Sequence, residues 1–341
     1  MHTSRRLSTL LAASTVWLSV SAGNAAAGHT NGLCETAATD HASPPYVIVL
    51  SAFPAELAPL VAAADIESTV EAGGRPYYVG RLEGVSVILG LMGIGIANAR
   101  TSTTSVLSTF DAAAVIVNGV AGSNRRIGDV VVATDWMEKD QDGVFHPNKA
   151  LFALARLAKT NLPAPLEKCT QVPPGAPDSH TVCMPFTPTV VFGGTGTTSD
   201  PSGGNPIPCI PNGGPLFGCE LPTAMTAGIS VAMKPKPKSS NTVEDEETAA
   251  VARAADEADV PFLGIRAVSD GAGDPLGDRG FPFQFADYYD LAAHNVSAVT
   301  RAVVAEVGKL ATDRSARDTC RQLAKGSWKH AATQILRRRG Q

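Results

Sequence analysis

Aromatic residues are scarce in this chain, 6% of 341 residues, and they form no ladder along any strand-like run. That argues against the stacking platforms by which proteins hold single-stranded nucleic acid. Basic charge is not in excess either: the formal net charge is −4 and the isoelectric point is near 6.0, so no surface for a nucleic-acid backbone is expected. No Cys-x-x-Cys pair occurs, which leaves zinc and thioredoxin-type chemistry unsupported, and no metal site is expected. The glycine motifs fall short of nucleotide loops. Gly93-x-Gly95-x-x-Asn98 lacks the third glycine of the dinucleotide fingerprint, no acid ends a following strand at the required distance, and there is no Walker phosphate loop. No cofactor is expected. Beyond the N-terminal stretch, no segment is long and apolar enough to span a bilayer.

What is present is a sizeable apolar fraction, 44%, against 18% charged residues, enough for a substantial core. Arg5 and Arg6 precede a largely apolar stretch, Leu7 to Val20, and Ala25-Ala26-Ala27 offers a small-residue cleavage site. This is the pattern of an export signal over residues 1–27, and it implies a secreted or periplasmic protein without a stable membrane anchor. The six cysteines agree with an oxidising compartment. Cys169/Cys183 and Cys209/Cys219 each bracket a Pro/Gly-rich loop, while Cys34 and Cys320 lie near the two ends of the mature chain. Those three pairings are the expected ones, although the spacing permits others.

Residues 28–44 are polar and are expected to be a disordered linker. From Tyr46 onward, apolar runs alternate with helical patterns. Tyr46 to Ser51 predicts a buried strand, Pro54 a helix start, Tyr77 to Val79 and Val85 to Leu91 two strands around the Leu82-Glu83-Gly84 turn, and Ala112 to Asn118 another buried strand. Gly128 to Ala133 predicts a further strand, and residues 287–310 an amphipathic helix. The alternation implies an α/β sheet covered on both faces in a single domain over 45–310. Residues about 160–242 hold most of the prolines and read as a surface insertion with one strand, Thr189 to Phe192. Lys234-Pro235-Lys236-Pro237-Lys238 reads as a stiff linker, and 311–341 as a basic C-terminal tail.

Val260 to Gly271 is the most informative run. It predicts a buried strand that delivers Ser269-Asp270 to its C-terminal end before glycines, the place where open α/β sheets present side chains to ligands. Upstream, Val243-Glu244-Asp245-Glu246-Glu247-Thr248 opens an alanine-rich helix with clustered carboxylates. These pieces join Val47 to Leu60, Val79-Gly80-Arg81-Leu82, Leu91-Met92-Gly93-Ile94-Gly95, Val117-Asn118-Gly119-Val120-Ala121-Gly122 and Ile127-Gly128-Asp129-Val130-Val131. In that order they resemble the nucleoside phosphorylase superfamily, in particular the methylthioadenosine/S-adenosylhomocysteine nucleosidases.

The resemblance implies a mixed central sheet flanked by helices, a homo-oligomer, and cleavage of the N-ribosidic bond of a purine nucleoside, of adenosine or 5′-methylthioadenosine type. It places Asp270, held by Ser269, as the acid that protonates purine N7, and Glu56 as the carboxylate that activates water. Glu246, supported by Glu244, would grip the ribose hydroxyls. Gly119, Val120 and Ala121 would line the pocket, Met92 would stand on its ribose side, and Gly196 and Thr197 would meet the purine edge. Taken singly, Glu56 also suits a first helical turn, Glu244 to Glu247 a solvated helix start, and Asp270 a cap or turn. No arginine stands where superfamily phosphorylases bind phosphate, which favours hydrolysis. A phosphorylase using Arg125 or Arg126 and a non-catalytic nucleoside-binding or storage-type protein are the alternatives. The chain departs from the family at Asp245, where a methionine is usual, and at Met92, where a serine is common. Both positions are expected at the ribose and 5′ side of the pocket.

Overall fold

The structure is a computed structural model that describes Cys34 and residues 45–200, 202–211, 242–313, 316–318 and 320–321. The expected export signal, nearly all of the 28–44 linker, the Lys234–Lys238 linker and most of the basic tail lie outside the described residues.

The apolar run Tyr46–Ser51 forms β1, and Pro54 opens helix α1 (Pro54–Ala63), where its missing N–H has no helical partner to lose. Strands β2 (Asp65–Ala72), β3 (Arg75–Leu82) and β4 (Val85–Leu91) form an antiparallel meander. Helix α2 (Ile96–Thr109) follows Gly95. Strand β5 (Ala112–Arg126) runs 15 residues, and β6 (Val130–Val132) and β7 (Asp135–Glu138) come after it. Helix α3 (Lys149–Thr160) is capped by Asn148, whose side chain accepts the N–H groups of Ala150 and Leu151. Then come β8 (Cys169–Val172), β9 (His180–Cys183), β10 (Val190–Phe192), β11 (Thr195–Thr198) and β12 (Val243–Asp245). Helix α4 (Thr248–Glu257), strand β13 (Phe262–Ala272) and the long helix α5 (Phe283–Thr312) complete the order.

Eleven strands form one mixed sheet, ordered β10-β6-β13-β5-β1-β4-β3-β2, with β12, β11 and β7 branching from β5. The centre, β13-β5-β1-β4, is parallel. Val47, Ile48, Val49 and Leu50 of β1 and Val115, Ile116 and Val117 of β5 are buried, as expected where helices cover both faces. This is the α/β single domain with a mixed sheet that the sequence led us to expect.

Two features differ from the sequence reading. Asp65–Ala72 is a strand, although it is largely polar and exposed up to the buried Ala72; it is an edge strand held by backbone pairing to β3. The segment 160–242 is also more than a surface excursion. β10 pairs with β6, and β11 lies between β7 and β12, so its short runs are stabilised by joining the sheet rather than by a core of their own. The disulfides Cys169–Cys183, across the β8–β9 ribbon, and Cys34–Cys320 are both formed. Cys209 is disulfide-bonded as well, and Cys219 lies outside the described residues. Among the described residues no helix is long and apolar enough to cross a membrane.

Candidate active site

The length of β5 creates the site. Its first half pairs with β1 and β13 in the core, and its distal part pairs with β12. At Gly122 the two neighbours meet: Asp270 of β13 is its register partner on one side and Glu244 of β12 on the other. Glycine leaves the Asp270 carboxyl its place here, because a Cβ on residue 122 would lie 2.8 Å from Asp270 Oδ2 and push it aside. The strand ends surround a cavity of about 230 Å³, a little below the usual range of drug-sized ligand pockets. Its polar wall includes Glu56, Glu244, Glu246, Glu247, Ser269 and Asp270, and its apolar wall Phe53, Ile94, Phe281 and Phe285.

Glu56 stands in the first turn of α1 and is fully buried. Its Oε2 accepts the Ala52 N–H at 2.7 Å and its Oε1 the Val120 N–H at 2.7 Å. Two accepted N–H bonds favour the carboxylate, and Arg266 Nη1 lies 3.6 Å from Oε1. Burial nevertheless dominates and pushes its pKa up to about 7, against the pull of Arg266 and with a further push from Glu247. Asn118 fixes the start of α1 by donating to the Glu56 carbonyl at 3.0 Å and to Ser51 Oγ at 3.2 Å. Thr300 of α5 donates to Asn118 Oδ1 at 2.8 Å, so the turn is tied to the sheet and to a helix behind it.

Ser269 donates to Asp270 Oδ1 at 3.0 Å. The strand end beyond it is anchored by Gly271, whose N–H donates to Gln284 Oε1 of α5 at 2.9 Å. Asp270 is 8% exposed, its residual surface opening to the cavity. Burial, then the neighbouring Glu247 and Asp245, raises the Glu246 carboxyl well above the usual range, Arg266 opposing.

The sequence reading did not single out Arg266. It sits in the middle of β13, 1% exposed, with Nε 2.9 Å from Asp245 Oδ2 and Nη2 2.9 Å from Glu247 Oε2. Its Nη1 donates to the Val120 carbonyl at 3.1 Å. Desolvation alone would weaken its hold on the proton, but Asp245, Glu247 and Glu56 more than offset this and its pKa is raised. A charge in a buried strand demands such partners, and that requirement was the available signal. Glu247, Ser199 and the four apolar wall residues were also not assigned from the sequence.

Several expected positions fall elsewhere. Val120 and Ala121 line the cavity, but Gly119 does not; its missing Cβ makes room for Arg266 and Glu56. Met92 is buried in the core, its carbonyl accepting from Ser102 Oγ at 2.9 Å, and does not line the cavity. Gly196 and Thr197 lie within β11 between two strands. Gly196 is packed on the Trp136 ring, which a Cβ would approach to 2.2 Å, and Ser199, just past the strand, reaches the cavity instead. Asp245 does not line the cavity; it accepts from Thr198 Oγ1 at 2.6 Å and from Thr248 Oγ1, and pairs with Arg266, whose Nε–H donates to Thr248 Oγ1 at 2.9 Å. The two departures at Met92 and Asp245 are therefore inside the protein, off the cavity wall. Arg125 and Arg126 do not line the cavity either; both reach Asp129, at 3.9 and 3.1 Å, and Arg126 stacks on Phe186. Among the described residues no cluster of His, Cys, Asp and Glu could hold a metal ion.

A family model described as Phosphorylase superfamily matches residues 46–305. A protein of Mycobacterium tuberculosis strain H37Rv, described as uncharacterized, is 35% identical over 187 residues, 50% of this chain and 74% of that one. A 5′-methylthioadenosine/S-adenosylhomocysteine nucleosidase from Maridesulfovibrio salexigens is 38% identical over 97 residues, 28% of this chain and 42% of that enzyme. Among solved structures, the nucleosidase of the same description from Neisseria meningitidis, in complex with methylthio-immucillin-A, is similar with a TM-score of 0.52 at 21% identity, covering 76% of this chain and 99% of that chain. At that identity the likeness is one of fold.

Proposed function

The chain belongs to the phosphorylase superfamily, and from that premise we propose that it is a purine nucleosidase that transfers the glycosyl group to water rather than to phosphate. The observation that carries this reading is the charge of the cavity. Five carboxylate side chains line it, and Arg266, the one cation in its wall among the described residues, is already engaged by Asp245, Glu247 and Glu56. Such a wall leaves a phosphate dianion no cation that is not already paired, and those of its acids that ionise favour a sugar that gains positive charge as its bond to the base stretches.

In this reading a protonated Asp270, oriented by Ser269, gives its proton to purine N7. The bond from C1′ to N9 breaks, and its electron pair leaves with the base. Glu56 takes a proton from water as the water oxygen bonds to C1′. A carboxyl poised near neutrality suits a general base at physiological pH, and its pKa of about 7 supports that role. Glu246, with Glu244 beside it, holds the ribose hydroxyls. The apolar wall of Phe53, Ile94, Phe281 and Phe285 takes the flat base or an apolar 5′ group. The relatives described as methylthioadenosine/S-adenosylhomocysteine nucleosidases support this substrate class.

Export is part of the proposal. It is supported by the N-terminal signal pattern and by the two disulfides, and a homo-oligomer is expected by resemblance. The test is chromatography of adenosine, inosine, guanosine and methylthioadenosine incubated with the mature protein, with and without phosphate. Free base and free sugar released at the same rate in both buffers is the expected result. Ribose 1-phosphate as the main product, with no turnover when phosphate is absent, would overturn hydrolysis.

A further inference from the structure

Gly93 and Gly95 stand on either side of Ile94 with φ of +83° and +95°, a left-handed backbone that glycine adopts without strain. Glycine is also the freest residue in the unfolded chain, so Ile94 keeps its place in the cavity wall through ties from outside the loop. Glu247 supplies one, accepting the Gly95 N–H at 3.0 Å. The others come from the proline- and glycine-rich segment. Ile207, 3% exposed, lays its Cδ1 over Gly95, 3.2 Å from where a Cβ would stand, and Cys209 Sγ lies 3.2 Å from the same point on Gly93. Asn98 of α2, itself buried, joins the two stretches. Its Nδ2 donates to the Ile94 carbonyl at 2.9 Å and to the Ile207 carbonyl at 2.6 Å, and lies 3.5 Å from Cys209 Sγ. Both amide hydrogens are thus engaged. The near end of the segment is fixed as well. Ser199, in the cavity wall, donates its N–H to the Asp245 carbonyl at 2.8 Å. The Asp200 carboxylate accepts the N–H groups of Ser202, at 3.1 Å, and of Gly204.

We propose that residues 202–209 are a strap that positions Ile94 in the cavity wall, with Asn98 as the positioning residue between strap and loop and the Cys209 disulfide as the far anchor. Residues 202–209 do not line the cavity, whereas Ile94 does, so the strap acts through Ile94 and touches no reacting atom. Cys209 is disulfide-bonded, and a cross-link to its expected partner Cys219 restricts the conformations open to a detached strap. An apolar wall residue meets the ligand alike in the ground state and in the transition state. Its displacement weakens binding and leaves the chemical step alone. The strap therefore sets the affinity for the nucleoside rather than the rate of its cleavage. That kinetic consequence rests on the nucleosidase reading above; the positioning of the loop does not.

The experiment compares the parent protein with Asn98→Ala, Ile207→Ala, Ile207→Leu and the paired Cys209→Ser, Cys219→Ser variant. Hydrogen–deuterium exchange read by mass spectrometry reports the amides of residues 92–99, and kcat and KM are measured on the nucleoside that the parent cleaves best. Asn98→Ala and Ile207→Ala are expected to speed exchange at 92–99 while β1 exchanges as in the parent. Both should raise KM about tenfold with kcat unchanged, the scale of one altered apolar contact. The paired cysteine variant should do the same more mildly. Ile207→Leu, which keeps the apolar volume over Gly95, should match the parent. Ile207→Ala carries the test should Asn98→Ala fail to fold. A folded Ile207→Ala protein with parental exchange at 92–99 overturns the strap, and so does a loss confined to kcat. A parent that cleaves no nucleoside overturns the functional reading alone, because the exchange comparison still decides the role of the strap.

Discussion

Arg266 and Gly119 are register partners across β13 and β5, and a Cβ on Gly119 would lie 2.2 Å from Arg266 Nη1 and 2.7 Å from Glu56 Oε1. The glycine is what lets a buried guanidinium approach a buried carboxylate. Gly119→Ala should therefore displace both groups. Forcing an extra methyl into a packed site costs about 1–3 kcal/mol, to be read by denaturant unfolding, and turnover should fall with it. An alanine variant with parental stability and turnover would show that the pair tolerates separation.

Glu56 should give the protein an unusual pH dependence. Its folded pKa of about 7 stands above the ordinary 4.5, so the folded chain holds this proton more tightly than the unfolded chain. The stability it contributes is fully present below about pH 4.5 and is lost as pH rises to about 7. Relative to Glu56→Gln, the parent should lose about 3 kcal/mol of stability across that window, at about 1.4 kcal/mol for each tenfold difference in proton affinity between the folded and unfolded chain. Unfolding curves of both proteins at several pH values would measure the difference, and parallel pH profiles would contradict it. As a base, Glu56 should make kcat rise with pH through about 7. Glu56→Gln should lower kcat by roughly 10²–10⁴-fold.

Asp270→Asn should lose most turnover and keep much of the binding. The amide can still hydrogen-bond to purine N7 but has no proton to transfer, and general acid catalysis is worth roughly 10²–10⁴-fold. Loss of an acid acting in the transition state should lower kcat more than it changes KM. Ser269→Ala, which removes the 3.0 Å bond to Asp270 Oδ1, should do the same more mildly. A folded Asp270→Asn protein with undiminished kcat on its best nucleoside would remove the assignment.

The two described disulfides should differ in effect. Cys34–Cys320 closes a sequence separation of 286 residues, Cys169–Cys183 one of 14. If the links act mainly by restricting the unfolded chain, losing the first should cost about 3–5 kcal/mol and losing the second about 2–3 kcal/mol. Guanidinium unfolding of the paired Cys→Ser variants gives the order, and the reverse order would point to native-state strain or residual unfolded structure instead. Mass mapping of non-reduced peptides checks the connectivity itself.

The sequence by itself determined the central layer. Tyr46–Ser51, Val85–Leu91 and the start of β5 are continuous apolar runs, and burial on both faces of a parallel sheet leaves little other option for such runs. The resemblance to the superfamily singled out Glu56, Glu246 and Asp270, and all three line one cavity. What only the tertiary structure decided is the direction in which neighbouring residues face and what compensates them. Arg266 reads in sequence as an interruption of an apolar strand; three acids from two other segments make its burial tolerable. Asp245 and Glu247 flank Glu246, yet Asp245 turns inward while Glu247 stays at the cavity wall. Met92 and Gly196 occupy plausible motif positions but are claimed by the core and by Trp136. Polar Asp65–Ala72 is a strand because β3 offers it an edge. These outcomes depend on long-range pairing and on charge balance between segments far apart in the chain, which local patterns of hydrophobicity do not record.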